Sequence, residues 1–243
     1  MMGIDKSSPI PLYYQLQRIV LEKIQSGEWP ANALIPSERE LAEQFGITRM
    51  TIRHALADLV RDGILRRQVG KGTLVAEPRI TQRLSVLTGF SDDMRARGRQ
   101  PGARLLASGV EPATPAVAEK LRVPLGTVTV RIERLRLADG EAMAIEASHL
   151  CFTGCSTLVA QDLCGSLYAL LPKVYGVTPT RARQRLSAGV SDRRESELLG
   201  MRRGSPVLRL ERVTYDQGDR PFEYTQSTYR GDRYVFDAEL VGL

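Results

Sequence analysis

The chain has 243 residues, enough for one large domain or two small ones. Hydrophobic residues make up 42% and charged residues 26%, a composition typical of globular proteins and not of disordered ones. No apolar run reaches the roughly 20 residues that a transmembrane helix needs, and residues 1–11 lack the pattern of a signal peptide. We therefore expect a cytoplasmic protein without a membrane segment.

Three cysteines, Cys151, Cys155 and Cys164, lie close to His149 in the sequence. Their spacing lacks the closely paired ligands of a zinc site, and an odd number of cysteines argues against a disulfide framework. We interpret them as buried or partly buried thiols, and we expect neither a metal ion nor a cofactor.

The net charge of +6 is unevenly distributed along the chain. Residues 49–71 contain six Lys and Arg against two Asp and Glu, whereas residues 1–48 contain four against six. A local basic block is typical of a segment that contacts a polyanion such as nucleic acid.

Residues 11–75 are predicted to form three helices and a hairpin, because apolar residues recur at helical spacing in three segments with start and stop signals. The first helix ends before Gly27. The second begins with a capping box at residues 37–40, and the third is capped by Thr48. Two short strands then flank a glycine-rich tip at residues 70–72. This order of elements indicates a winged helix-turn-helix.

The candidate DNA contacts lie on the second and third helices and on the wing. Arg49 and Arg53 are four residues apart at the start of the third helix, so they share one face and can enter a major groove, where arginine recognises guanine. The wing glycines allow the backbone and Lys71 to approach the minor groove or its phosphates. The predicted DNA-binding residues are Arg39, Arg49, Thr51, Arg53, Gly70, Lys71 and Gly72.

These motifs resemble the GntR family of bacterial transcription regulators. The resembling segments are P-L-Y-Y-Q-L at 11–16, L-I-P-S-E-R-E-L-A at 34–42, T-R-M-T-I-R at 48–53 and G-K-G-T at 70–73. The resemblance implies a DNA-binding domain over residues 9–77, with operator contacts from Arg39, Arg49, Arg53 and the wing tip. Residues 78–85 are interpreted as a polar linker.

The remainder of the chain, residues 86–243, repeats itself with a period of 78 residues. G-T-V-T-V-R-I-E-R at 126–134 aligns with G-S-P-V-L-R-L-E-R at 204–212, and glycines and prolines elsewhere keep the same offset. Each half is expected to contain a helix, a strand, a short helix and a β-hairpin. We predict an α+β domain whose two halves share one central antiparallel sheet.

Two similar halves are expected to leave a ligand cleft where they meet. Arg134 and Arg136 alternate on a strand, so both guanidinium groups point to one side and suit a phosphate or carboxylate. Glu146 and Glu223 lie on the returning strands of the two hairpins, and Tyr229 is expected on a further strand. Whether these glutamates accept sugar hydroxyls or form strand-edge salt bridges with Arg131, Arg209 or Arg212 is left open by the sequence.

A second resemblance is to the UTRA effector domain of the HutC subfamily, carried by residues 87–94, 133–136, 143–146 and 165–168. It implies a chorismate-lyase-like fold, a dimer formed through this domain, and a likeness to the N-acetylglucosamine-utilisation repressors, whose effectors are amino-sugar phosphates. Carried over, a phosphate is held by Ser91, Arg134, Arg136 and Ser166. The full set of predicted effector-binding residues is Phe90, Ser91, Arg134, Arg136, Glu146, Ser166, Tyr168, Glu223 and Tyr229.

The sequence therefore predicts a homodimeric transcription regulator, a repressor that binds palindromic operator DNA and responds to a small phosphorylated amino sugar. A different small anionic effector is one alternative. An enzyme is another, because the second domain resembles a lyase fold, but no nucleophile–base pair is evident in its candidate site. A DNA-binding protein without an effector is the third.

Overall fold

The computed structural model describes residues 3–77 and 79–239. The chain divides into two compact units, Met1–Arg79 and Ile80–Leu243. Pro78 of the predicted linker and residues 240–243 of the predicted effector domain lie outside the described residues. No helix among the described residues is long and apolar enough to span a membrane.

The first unit contains three helices and one hairpin, in the predicted order. These are α1 (Leu12–Gln25), α2 (Glu38–Phe45), α3 (Arg49–Arg61), β1 (Leu65–Gln68) and β2 (Gly72–Val75). The two strands pair antiparallel from Leu65↔Val75 to Gln68↔Gly72. Their turn is the predicted wing.

Local signals in the sequence explain where these helices begin and end. The side chain of Ser37 caps α2 and completes the predicted capping box with Glu40, while Thr48 caps α3. Gly46 adopts a φ of +62° at the end of α2, a left-handed conformation that glycine tolerates best, so the chain turns sharply into α3. The apolar faces of the three helices meet in one core around Leu16, Leu41, Ile52 and Leu56.

The second unit is built from two similar halves. The first half contains α4 (Phe90–Ala96), β4 (Pro101–Pro112), α5 (Pro115–Leu121), β5 (Val128–Ala138) and β6 (Glu141–Leu150). The second half contains α6 (Leu167–Tyr175), β7 (Arg181–Val190), α7 (Arg193–Leu199), β8 (Pro206–Tyr215) and β9 (Pro221–Arg230). A 3₁₀ helix, Cys155–Ala160, lies between the halves in the sequence.

The two halves form one six-stranded antiparallel sheet in the order β4-β5-β6-β9-β8-β7. They meet at the centre, where β6 pairs with β9 and Glu146 lies opposite Ser227. The order of elements and the shared sheet confirm the fold predicted from the repeat. Tyr229 corrects one detail, because it lies on β9 with Glu223 and not on a further strand.

The predicted linker, residues 78–85, is wrong in part. Residues 80–83 form β3 (Ile80–Arg83), which pairs in parallel with β10 (Tyr234–Asp237) near the other end of the second unit. Ile80 and Gln82 are buried, whereas Thr81 and Arg83 are exposed. A strand of four residues is too short to show a clear apolar periodicity. Its partner strand lies at the far end of the chain, so the sequence around β3 carries no signal of the pairing.

Candidate functional site

The predicted DNA-binding residues all lie on α2, α3 or the wing of the first unit. Six of the seven are exposed: Arg39, Arg49, Arg53, Gly70, Lys71 and Gly72. The exception is Thr51, which is half-buried and whose hydroxyl lies 2.9 Å from that of the capping residue Thr48. Thr51 therefore has an intramolecular partner in the cap of α3.

Glu38 connects α2 with α3 and the wing, a role that the sequence analysis did not identify. One carboxylate oxygen accepts a hydrogen bond from Nε of Arg53 at 3.0 Å, and the other accepts one from Arg67 at 3.2 Å. Both arginine side chains remain about half exposed. Glu38 thus orients Arg53, and the terminal nitrogens of that guanidinium face solvent without a described partner.

All nine predicted effector-binding residues line one cavity of the second unit. Both halves contribute, since the segment at the start of α4 and the segment at the start of α6 lie over the same face of the sheet. The free volume is only about 40 Å³, whereas one water needs roughly 10–15 Å³ on this measure. The cavity has space for a few waters, and a sugar phosphate requires some of these side chains to move.

Arg134 is held on the cavity wall by contacts to both halves. On β5 it lies opposite Glu146 of β6, with which it forms a buried ion pair. It also donates to the backbone carbonyls of Leu163 and Gly165, just before α6, at 3.2 and 3.3 Å. Burial alone would raise the pKa of Glu146, but the charges of Arg134 and Arg136 outweigh it and hold that pKa below its usual value.

Arg136 is the least satisfied charge in the cavity. Its side chain is buried and donates one hydrogen bond of 2.8 Å to the hydroxyl of Ser91, and its guanidinium stacks over the ring of Phe90 at 4.7 Å. Nε and the other terminal nitrogen have no hydrogen-bond partner in the described part of the chain. Burial lowers the pKa of Arg136, but a guanidinium remains protonated at neutral pH. A buried cation with free donors is suited to an anion.

Glu223 and Tyr168 form the opposite wall. The Tyr168 hydroxyl donates to Oε2 of Glu223 at 2.8 Å, and the Thr214 hydroxyl donates to the same oxygen at 2.9 Å. Oε1 of Glu223 accepts no hydrogen bond from the described residues. Burial and the neighbouring Glu223 carboxylate raise the pKa of Tyr168, and burial together with Glu146 raises that of Tyr229 to about 12. Both phenols are therefore protonated donors at neutral pH.

Ser166 caps α6, where its side chain accepts a hydrogen bond of 3.3 Å from the backbone N–H of Ala169. The hydroxyl hydrogen has no described acceptor, so Ser166 is able to donate to a ligand in the cavity that it lines.

The alternative salt bridges for the two glutamates are wrong. Arg131 pairs with Glu133, Arg209 pairs with Glu195, and Nε of Arg212 donates to Gln184 at 2.8 Å. Glu146 pairs with Arg134 instead, Glu223 accepts from Tyr168 and Thr214, and both carboxylates line the cavity.

The sequence analysis missed part of the cavity lining: Gln82, Thr88, Gly89, Leu167, Leu210, Arg212, Thr225 and Ser227. One signal for Arg212 was present, because the internal repeat aligns it with Arg134. The two arginines also act alike, since each donates to the backbone before the other half's helix: Arg134 to Gly165, and Arg212 to Thr88 at 3.3 Å. Nothing in the sequence pointed to Gln82.

The three cysteines are not arranged as ligands of a metal ion. Cys155 is buried, Cys151 is half-buried and Cys164 is exposed, and all three are free thiols. Residues 3–77 and 79–239 contain no group of three or more His, Cys, Asp or Glu side chains arranged to hold a metal ion.

Two family models match the chain: the UTRA domain over residues 96–235 and the gntR family of bacterial regulatory proteins over residues 12–75. Similar proteins include the HTH-type transcriptional repressor NagR of Bacillus subtilis, 41% identical over 97% of both chains. The histidine utilization repressor of Pseudomonas aeruginosa is 32% identical over 85% of this chain and 82% of its own. The crystal structure of PhnF from Mycobacterium smegmatis matches with a TM-score of 0.68 and 33% identity, covering 93% of this chain and 99% of that one.

Proposed function

This chain belongs to the GntR family of transcription regulators, in the HutC group that carries a UTRA domain, and from this premise we propose its specific function. It is a cytoplasmic, homodimeric repressor that binds a palindromic operator. It releases that operator when a phosphorylated amino sugar, such as N-acetylglucosamine 6-phosphate or glucosamine 6-phosphate, occupies the cavity of the second unit.

The observation that carries this proposal is the buried guanidinium of Arg136, whose Nε and one terminal nitrogen have no hydrogen-bond partner among the described residues. A buried, unpaired cation costs folding free energy unless an anion neutralises it. Ser91 already bonds Arg136, and Arg134 lines the same cavity. A phosphate is the anion that suits this group, because its oxygens accept several charge-assisted hydrogen bonds at once.

The carboxylates of the cavity support a sugar in addition to a phosphate. An inorganic anion gains nothing from Glu146 and Glu223, which repel it, whereas the hydroxyl and amino groups of an amino sugar donate to carboxylate oxygens. The phenol of Tyr229 supplies a donor, while that of Tyr168 donates to Glu223 and holds this carboxylate in place. The cavity thus offers arginines to the phosphate end of a ligand and carboxylate acceptors to its sugar end. This combination favours an amino-sugar phosphate over a simple anion.

The first unit supports operator recognition. Arg49 and Arg53 are exposed at the start of α3, the part of a recognition helix that reaches base edges. Arg39 and the wing residues Gly70, Lys71 and Gly72 are placed to bind the DNA backbone or a groove. One such module buries a small interface, so two modules on a palindrome gain affinity through effective concentration.

Release of DNA requires that the ligand bind the two conformational states of the regulator with different affinities. A coupling of about 1–3 kcal/mol corresponds to a 5- to 150-fold change in operator affinity. The small free volume of the cavity is consistent with this, because a sugar phosphate enters only when some of the lining side chains move.

The test is a gel shift on DNA from upstream of the protein's own coding sequence, with N-acetylglucosamine 6-phosphate and glucosamine 6-phosphate titrated separately. We expect a retarded complex that dissociates with one or both sugar phosphates and persists with unphosphorylated glucosamine. A complex insensitive to both sugar phosphates would rule out the proposed effector class while leaving the DNA-binding function in place.

A further inference from the structure

Gln82 is a largely buried polar residue of the second unit. It is 5% exposed and lines the same cavity as Arg134 and Arg136. No hydrogen bond to its carboxamide is found among residues 3–77 and 79–239. Neither amide atom is among the fully buried side-chain atoms without a described partner, so the carboxamide reaches the free space of the cavity, where such a group bonds to water or to a ligand. The side chain is therefore available to a molecule inside the cavity.

The position of Gln82 in the fold sets it apart from the other cavity residues. It lies on β3, the strand that begins at Ile80, directly after the last residue of the first unit. Every other lining residue lies further along the chain, on the segments that begin α4 and α6 or on the central sheet. Gln82 is the cavity residue closest in sequence to the DNA-binding unit.

The strand that carries Gln82 is short and outside the central sheet. Its parallel ladder with β10 contains four residue pairs, from Ile80↔Tyr234 to Arg83↔Asp237. A ladder this short is a low-stability element, which opens locally at lower cost than the six-stranded sheet. One additional hydrogen bond to the side of β3 that faces the cavity therefore changes the stability of this ladder by a larger fraction than it would change that of the six-stranded sheet.

The aromatic contacts of β10 connect the same ladder with the cavity wall. Tyr234, which pairs with Ile80, has its ring 4.6 Å from that of Tyr229, a cavity residue on β9. Ile80 and Tyr229 also belong to one apolar cluster with Phe90. A ligand that contacts Gln82 and Tyr229 thus stabilises both strands of the ladder.

We propose that Gln82 binds the effector directly and couples occupancy of the cavity to the strand that continues into the DNA-binding unit. Its carboxamide donates to a phosphate or hydroxyl oxygen of the ligand, which holds β3 against β10. This inference rests on the proposed function, because it concerns the same cavity. It adds a ligand contact and a route by which binding alters the segment leading to the DNA-binding unit.

The experiment measures the thermodynamic coupling between ligand and DNA. The dissociation constant of glucosamine 6-phosphate is determined by calorimetry on the full chain, with and without a duplex selected from a random pool. The ratio of the two constants is the coupling factor. For the native protein we expect a ratio between about 5 and 150.

Replacing the amide should lower that ratio selectively. For Gln82→Leu we expect the coupling factor to fall at least fivefold, towards 1. Gln82→Asn, which keeps the carboxamide but withdraws it by one methylene group, is expected to lose coupling in the same direction with a native melting temperature. The matched control is Ser227→Ala, another buried cavity residue, which lies on β9 of the central sheet. It should weaken the ligand without changing the coupling factor.

A native coupling factor in both Gln82 variants would overturn the inference. Parallel titrations with inorganic phosphate separate this result from a failure of the proposed function. A native protein that binds phosphate but not glucosamine 6-phosphate would reject the amino-sugar effector. The coupling factors measured with phosphate would still decide the role of Gln82.

Discussion

Two pairs of arginines, one in each unit, are placed for anions in opposite ways. Arg49 and Arg53 are exposed at the start of a helix, whereas Arg134 and Arg136 are buried on a strand and are 4% and 2% exposed. Exposed arginines keep their hydration and bind an extended polyanion largely through counterion release, so their contribution depends on salt. Buried arginines have already lost their hydration, so under the proposed function they select a small anion that fits the cavity.

The comparison bears on the two roles proposed for arginine in this chain. The exposed pair loses its hydration only when it binds, and its one described contact within the first unit is the bond from Arg53 to Glu38. The buried pair lowers the stability of the fold itself. Arg134 is compensated by Glu146 and has one described nitrogen, Nε, without a partner, whereas Arg136 has two. Substitutions in the two units should therefore separate DNA affinity from stability and ligand response.

The largest effect is expected from Arg134→Ala. It leaves Glu146 buried without its ion-pair partner and removes the donors to Leu163 and Gly165, so the second unit should lose about 3–5 kcal/mol of unfolding free energy. Operator binding should persist at temperatures where the variant is folded, while release by ligand is lost. Denaturant unfolding and gel shifts measure the two effects.

Arg134→Lys, which keeps the positive charge, is the control. If Arg134→Ala still released DNA on addition of ligand, the proposed phosphate site would be excluded.

A smaller and separate effect is expected from Arg49→Ala and Arg53→Ala. Each should weaken operator binding by about 1–3 kcal/mol if the side chain contacts a base. Unfolding should be unchanged for Arg49→Ala because no described residue bonds this side chain, and slightly affected for Arg53→Ala because Glu38 loses one partner. Fluorescence anisotropy with a labelled operator measures the affinity. Native affinity in both variants would refute the assignment of α3 as the recognition helix.

Replacing Arg136 with Met should raise stability while removing function. The buried guanidinium has unsatisfied nitrogens, and an unbranched apolar side chain removes that cost, so we expect the unfolding free energy to rise by about 1 kcal/mol. Ligand-dependent stabilisation in thermal melts should disappear. Arg49→Met serves as the exposed counterpart, with no change in melting temperature. A lower stability for Arg136→Met would show that its hydrogen bond to Ser91, its stacking on Phe90 and its attraction to Glu146 outweigh the burial of the charge.

The smallest effect is expected at the tip of the wing. If Lys71 contacts a phosphate, Lys71→Ala should lower the slope of log affinity against log salt by about 1 and weaken specific and non-specific DNA alike. Titrations at several salt concentrations give the slope. A loss confined to one DNA sequence would instead indicate that Lys71 contacts a base.

Much of the fold was predictable because its signals are local or periodic. The capping residues Ser37 and Thr48 mark helix starts through side-chain bonds made within one turn of helix. The 78-residue repeat predicted both halves of the second unit and the shared sheet, because equivalent sequences form equivalent hairpins. The alternation of Arg134 and Arg136 placed both on one face of a strand, and both line the cavity.

Other features required the folded chain. The pairing of β3 with β10, the bridging position of Glu38 and the burial of Gln82 depend on contacts between segments distant in sequence. Propensity and periodicity report only on neighbours along the chain, so a polar residue on a short strand resembles a linker residue until its partner strand is in place. The sequence by itself determined which elements form and which charges share a face. Only the tertiary structure decided which of those charges lose their water, because desolvation depends on everything packed around them.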